Sequence, residues 1–182
     1  MKKIPSLFAR DSAGNLTDEY HPAAFWVVNG EGIATRKFDG TAVRYDGSAL
    51  WARYDAKRGK PLPDGFVAVQ EPDPITGHHP GWVPAQGPQH KWINVAFEAA
   101  GEIEPWTYEA CGPKINGNKE KFDSHVLVRH GDVKMTCPRD KAGLIEFFKE
   151  FDVEGIVWWR DRNDPDCDKV KITGAALGVK RR

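Results

Sequence analysis

The stretch ATRKFDGTAVRYDG, residues 34–47, alternates like a β-strand, is punctuated by Asp39-Gly40 and Asp46-Gly47, and sets Lys37 two positions before Asp39. Together with ALWARY, 49–54, it predicts three short strands over 33–38, 41–46 and 49–54 that turn at the Asp-Gly pairs, an antiparallel meander. A lysine on such a strand is ordinarily a solvated charge. The spacing K-x-D-G therefore carries weight only in company with residues elsewhere in the chain.

Working outward, residues 59–89 are dense in Pro and Gly (KPLPDG, EPDPITGHHPGWVP, QGPQ), which predicts a long loop, functional or packed on Trp82. HKWINVAFEAAG, 90–101, has Ile93, Ala96, Phe97 and Ala100 at helical spacing and a closing glycine. A strand is expected over 107–111, and a strand pair over 125–129 and 132–136. Asp140 is a natural N-cap for a helix whose Leu144, Phe147, Phe148 and Phe151 form one apolar stripe. EGIVWWR, 154–160, and KVKIT, 169–173, read as a hairpin. The turn between them, DRNDPDCD, lacks the glycine and closing glutamate of a calcium loop. His78 and His79 have no cysteine or histidine partner at ligand spacing, so they read as loop packing or substrate contacts. The class expected is α+β, dominated by antiparallel strands.

Composition narrows the function classes. A chain of 182 residues with 40% hydrophobic and 29% charged residues is an ordinary globular composition, read as a single domain over 1–182. Formal net charge is zero, so a nucleic-acid partner would have to be held by a local patch. Cys111, Cys137 and Cys167 are odd in number and widely spaced, which argues against a disulfide framework or thiolate zinc site and fits a reducing cytoplasm. No apolar run is long enough for a signal peptide or a membrane span. A cytoplasmic location without membrane association is expected, and the sequence names no protein partner.

Three further motifs follow Lys37 in order: Glu109 in TYEACG, Glu154 in EGIV, and Lys169 with Lys171 in KVK. This set resembles the covalent nucleotidyltransferases, the superfamily of ATP-dependent DNA and RNA ligases and capping enzymes. Their marks are K-x-D-G, a strand glutamate, E-G-[IV]-V and a final K-x-K. The fuller stretches KFDGTAVRYDG, LWARYDAKRG, TGHHPGWVP, TYEACGPKINGN and EGIVWW are most similar to a group of small ATP-dependent RNA ligases.

The resemblance implies an antiparallel-sheet nucleotidyltransferase (adenylation) domain, ATP-grasp-like, here without a C-terminal accessory domain. It implies an RNA ligase, of use in RNA repair, that seals 5′-phosphate and 3′-hydroxyl RNA ends through a lysyl-AMP intermediate. Lys37 would be the nucleophile, with ATP and Mg²⁺ or Mn²⁺ as cofactors. Asp39, Gly40, Arg44, Arg53, Glu109, Glu154, Lys169 and Lys171 would bind the nucleotide, and Asp39 and Glu154 the metal. Glu109 would accept a ribose hydroxyl, and Arg44 and Arg53 would contact ribose or phosphate. A protonated amine does not attack phosphorus, so positive charge from Lys169, Lys171 and the metal would favour its neutral form. Two apart on one strand, Lys169 and Lys171 share a face opposite Val170 and Ile172. The strand 125–129 offers only His125 and aliphatics to stack on adenine. Capping-type transfer, DNA end joining and a non-catalytic nucleotide- or RNA-binding module stay open as alternatives.

Overall fold

The computed structural model describes residues 1–74 and 76–182; residue 75, within the expected loop over 59–89, lies outside the described residues. In chain order the elements are β1 (Phe8–Arg10), β2 (Leu16–Tyr20), α1 (Phe25–Val28), β3 (Ile33–Lys37), β4 (Thr41–Tyr45), β5 (Leu50–Ala56) and β6 (Val67–Ala68). They continue with β7 (His79–Pro84), α2 (Lys91–Ala100), β8 (Trp106–Cys111), β9 (Val126–Arg129), α3 (Lys141–Glu150), β10 (Gly155–Trp159) and β11 (Lys169–Thr173). The protein is α+β, with antiparallel sheets and few helices. Among the described residues no helix is long and apolar enough to cross a membrane.

The chain divides into two compact units, one of Met1–Lys3 with Asp39–His130, the other of Ile4–Phe38 with Gly131–Arg182. The first division within the opening motif falls between Phe38 and Asp39. This corrects the expected meander: β4 and β5 pair, but β3 joins β10 and β11 in another sheet. The reason is local. Lys37 pairs with Gly155 at the end of β3, whereas Thr41 opens a ladder against Ala110. Gly40 reaches that ladder only because it lacks a side chain: a Cβ there would stand 2.2 Å from the carbonyl oxygen of Ala110.

The unit of Ile4–Phe38 and Gly131–Arg182 holds the sheet β11-β10-β3. One face carries Ala34, Ile156, Trp158, Val170 and Ile172, which join Leu144, Phe147 and Phe148 of α3 in one core. Asp140 caps α3 by accepting from the Gly143 N–H at 2.8 Å. Phe151, expected in the apolar stripe, instead ends the helix and is exposed, its ring stacked on Phe147 at 4.7 Å. Leu7 and Lys171 join backbones, the Leu7 N–H donating to the Lys171 carbonyl at 2.8 Å.

The unit of Met1–Lys3 and Asp39–His130 is built on the sheet β6-β7-β5-β4-β8-β9. Val43, Ala52, Ala56, Val83, Tyr108 and Ala110 are buried on one face, where Phe97 of α2 packs 5.3 Å from Tyr45. Two expectations fail here for stated reasons. HPGWVP, assigned to the loop over 59–89, is strand β7, paired with β5 from Trp51↔Pro84 to Ala56↔His79. Its prolines are tolerated because β6 covers it only at Trp82 and Gly81, leaving most of the outer edge without a ladder to break. The expected strand partner of 125–129 at 132–136 is absent: β9 pairs with β8, and Lys134 makes a single bridge to Thr35.

Candidate active site

Each unit gathers part of the expected set. In the sheet β11-β10-β3, direct cross-strand pairs put side chains on the same face. Lys37 stands opposite Gly155, Thr35 opposite Val157, Val157 opposite Lys171, and Trp159 opposite Lys169. Lys37, Lys169 and Lys171 therefore share one face, with the apolar core on the other. Gly155 is required for this pairing, since a Cβ there would lie 2.3 Å from the Ile172 carbonyl oxygen.

Lys37 and Glu154 are brought together. The half-buried Lys37 amine donates to Glu154 Oε1 at 2.7 Å and Oε2 at 2.6 Å. With the side chains 25% and 21% exposed, this pair is worth on the order of 1 kcal/mol, so opening it costs little. Lys169 is buried, its Nζ donating to the carbonyls of Pro165 at 2.6 Å and Cys167 at 3.2 Å and lying 4.3 Å from the Trp159 ring. Burial pushes its ammonium below the usual lysine range, while Cys167, Asp166, Asp164 and Asp168 pull it back. The acidic turn thus holds Lys169 by backbone carbonyls and negative charge.

In the other unit, Asp39 accepts a hydrogen bond from the Asn116 side-chain amide, and its N–H donates to Glu120 Oε1 at 2.9 Å. Asn116 belongs to GPKINGN and is itself held at φ 46°. Glu109 is buried and doubly engaged. Its Oε1 accepts from the Gly40 N–H at 3.0 Å, and its Oε2 pairs with His130 Nε2 at 2.8 Å. His130 Nδ1 in turn meets Thr107 Oγ1 at 3.0 Å. His130, Asn116 and Glu120 were not anticipated. Thr107 and Glu109 were legible as neighbours on one strand face, but no spacing rule points from them to a histidine beyond β9.

The register also explains the arginines. Ala42 opposes Glu109, Arg44 opposes both Thr107 and Trp51, and Arg53 opposes Trp82. Glu109, Arg44 and Arg53 thus lie on the sheet face away from Val43 and Ala52. Arg53 is half-buried, donates to the Met1 carbonyl at 2.6 Å and stands 5.5 Å from the Trp82 ring. Arg44 is exposed. His125 stacks on Trp92 of α2, with ring centroids 4.9 Å apart and planes at 8°. His78 faces Asp55 at 3.7 Å, and His79 packs on Phe66.

Among the described residues no group of three or more His, Cys, Asp or Glu side chains gathers as a metal cluster. A divalent cation would rest on one or two carboxylates and substrate oxygens, a donor set that suits Mg²⁺ or Mn²⁺. Glu154 offers hard oxygens of that kind in the unit that carries Lys37, and Asp39 in the other unit.

No protein-family model matches the chain. Among curated proteins it is similar to RNA ligase 1 of Pongo abelii, 26% identical over 202 residues. The match covers 69% of this chain, which spans 62% of that protein's length.

Proposed function

We propose that the chain is an ATP-dependent RNA ligase of the covalent nucleotidyltransferase type, joining 5′-phosphate and 3′-hydroxyl RNA ends. The observation that carries this reading is the Lys37–Glu154 contact on a sheet face shared with Lys169 and Lys171. The similarity to a protein named RNA ligase 1 supports the substrate. The nucleotidyltransferase fold, the adenylation chemistry and the roles given below belong to the proposal.

In the first step the Lys37 ammonium leaves Glu154, which stays an ionised carboxylate, and gives a proton to solvent water. Its nitrogen attacks the α-phosphorus of ATP; an N–P bond forms, the α–β P–O bond breaks, and pyrophosphate leaves with the electron pair. Lys171 and Lys169 offset negative charge on the phosphate oxygens. Asp39, two residues on from Lys37 in the chain, is held within its own unit by Asn116 and Glu120. Glu109, oriented by His130 and Gly40, receives the ribose hydroxyl. A Mg²⁺ or Mn²⁺ ion, taking a carboxylate such as Glu154 together with phosphate oxygens, would supply charge neutralisation on those oxygens. An RNA 5′-phosphate oxygen then takes the AMP, breaking the N–P bond, and a 3′-hydroxyl attacks that phosphate and releases AMP.

The test is end joining. Purified protein given ATP, Mg²⁺ and 5′-phosphorylated RNA should yield a longer or circular RNA and free AMP, with 5′-phosphorylated DNA a poorer substrate. Transfer to DNA alone would overturn the RNA assignment, and a GMP adduct in place of AMP would redirect the reading to capping.

A further inference from the structure

A cavity of about 220 Å³ opens on the arginine-bearing face of the six-stranded sheet, lined by Arg44, Asp46, Trp51, Val67 and Trp82. Its lining crosses β4, β5, β7 and β6 and includes none of Asp39, Gly40, Glu109 or His130. We propose that this cavity is a subsite for one unpaired nucleotide of the RNA strand, with the base against Trp51 and its phosphate on Arg44. The inference rests on the RNA-joining reading and adds a strand contact to it.

Four features point to that ligand. First, Arg44 makes no hydrogen bond or ion pair with another described residue, and its side chain is exposed at the rim. A guanidinium free to present its fork is a phosphate group's natural partner.

Second, the indole of Trp51 is held ready. Its Nε1–H donates to Asp46 Oδ2 at 2.8 Å, while Asp46 Oδ1 accepts from the Ser48 N–H, the Ser48 hydroxyl and the Ala49 N–H at 2.8–2.9 Å. An aromatic wall whose orientation is fixed loses little freedom when a base stacks on it.

Third, those hydrogen bonds, the Ala49 N–H foremost, hold the Asp46 carboxyl well below the usual range, so it stays negative. A phosphate is therefore turned away from Asp46 toward Arg44, and the uncharged base toward the indole.

Fourth, Trp82 gives the cavity a second aromatic wall, fixed by burial at 2% exposure with the Arg53 guanidinium 5.5 Å from its ring.

Size separates a strand nucleotide from free ATP. Sites that enclose a whole small molecule run to about 300–1,000 Å³. At about 220 Å³, with exposed Arg44 and Val67 at its rim, this cavity takes one ring system and leaves the rest of the ligand outside. A base on a continuing strand meets that description.

The experiment measures anisotropy of a short, single-stranded, fluorescein-labelled oligoribonucleotide at several salt concentrations, and ATP binding by calorimetry in the same proteins. Trp51→Ala should weaken the oligonucleotide roughly tenfold, and Trp51→Phe should recover most of that loss. Arg44→Gln should weaken it similarly and lower the salt slope by about one phosphate. Both losses should exceed any loss for ATP at least fivefold. Unchanged oligonucleotide affinity in Trp51→Ala and Arg44→Gln would overturn the subsite, and equal losses for ATP would reassign the cavity to the mononucleotide. Should Trp51→Ala fail to fold, the exposed Arg44 carries the test alone. Covalent labelling of Lys37 is scored separately, so its failure would strike the enzymatic reading while leaving the oligonucleotide result to stand or fall by itself.

Discussion

Lys37 and Glu154 come from positions 117 residues apart and meet because β3 and β10 pair with Lys37 opposite Gly155. In that pairing the amine is a donor to both carboxylate oxygens, so Glu154 orients it; in the proposed reaction it also holds the amine back from attack until the pair opens. In the proposed reaction a bound nucleotide competes with Glu154 for the amine. Glu154→Gln keeps the shape and loses the charge. We expect its labelling of Lys37 by ATP to fall about 10- to 100-fold, as for other groups that orient a reacting side chain. Its stability should change by no more than about 1 kcal/mol, a shift in Tm of some 2–4 °C in a thermal melt. A large loss of Tm with normal labelling would mean that the contact is only structural. Lys37, Glu109, Glu154 and Lys171 stand out in the sequence as candidates, because each sits in a short motif with strand context. His130 does not, since its importance comes from two hydrogen bonds to Thr107 and Glu109, which no sequence period encodes.

At the scale of elements, the motif glycines have packing reasons that stand beside any chemical ones. Gly155 lies against the Ile172 carbonyl and Gly40 against that of Ala110. A methyl group at position 155 would push β10 off β11 and disturb the register that aligns Lys37, Lys169 and Lys171. Gly155→Ala should therefore cost about 1–3 kcal/mol in chemical denaturation and reduce adduct formation in proportion to the displaced strand. Wild-type stability in that variant would refute the close-approach account. The helices α2 and α3 and the β10–β11 hairpin were readable because their apolar spacing and end signals, Asp140 and Gly101 among them, agree with their tertiary roles, whereas the four-residue α1 carried no such signal. Besides the strand expected at 132–136, the elements misread are ones where local signals and long-range pairing disagree. The prolines of HPGWVP signal a loop, yet Trp82 is a buried core residue and anchors a strand. The Asp39-Gly40 pair signals a hairpin, yet the chain there leaves one sheet for another, which only the competing ladders of β8 and β10 determine.

At the scale of the whole molecule, the formal net charge of zero means that strand binding must come from placed side chains rather than a general field. The sheet face bearing Arg44, Arg53, Trp51 and Trp82 provides such side chains, and the face bearing Lys37, Lys169 and Lys171 provides the proposed chemistry. The ligase activity proposed for this chain rests on its own residues. The central claim is that Lys37 becomes covalently linked to AMP. Incubation with α-labelled ATP and Mg²⁺, followed by a denaturing gel and mass mapping of the labelled peptide, should give a stable adduct on Lys37 that Lys37→Ala abolishes. No label on the wild type, equal label on Lys37→Ala, or label mapped to another residue would contradict it.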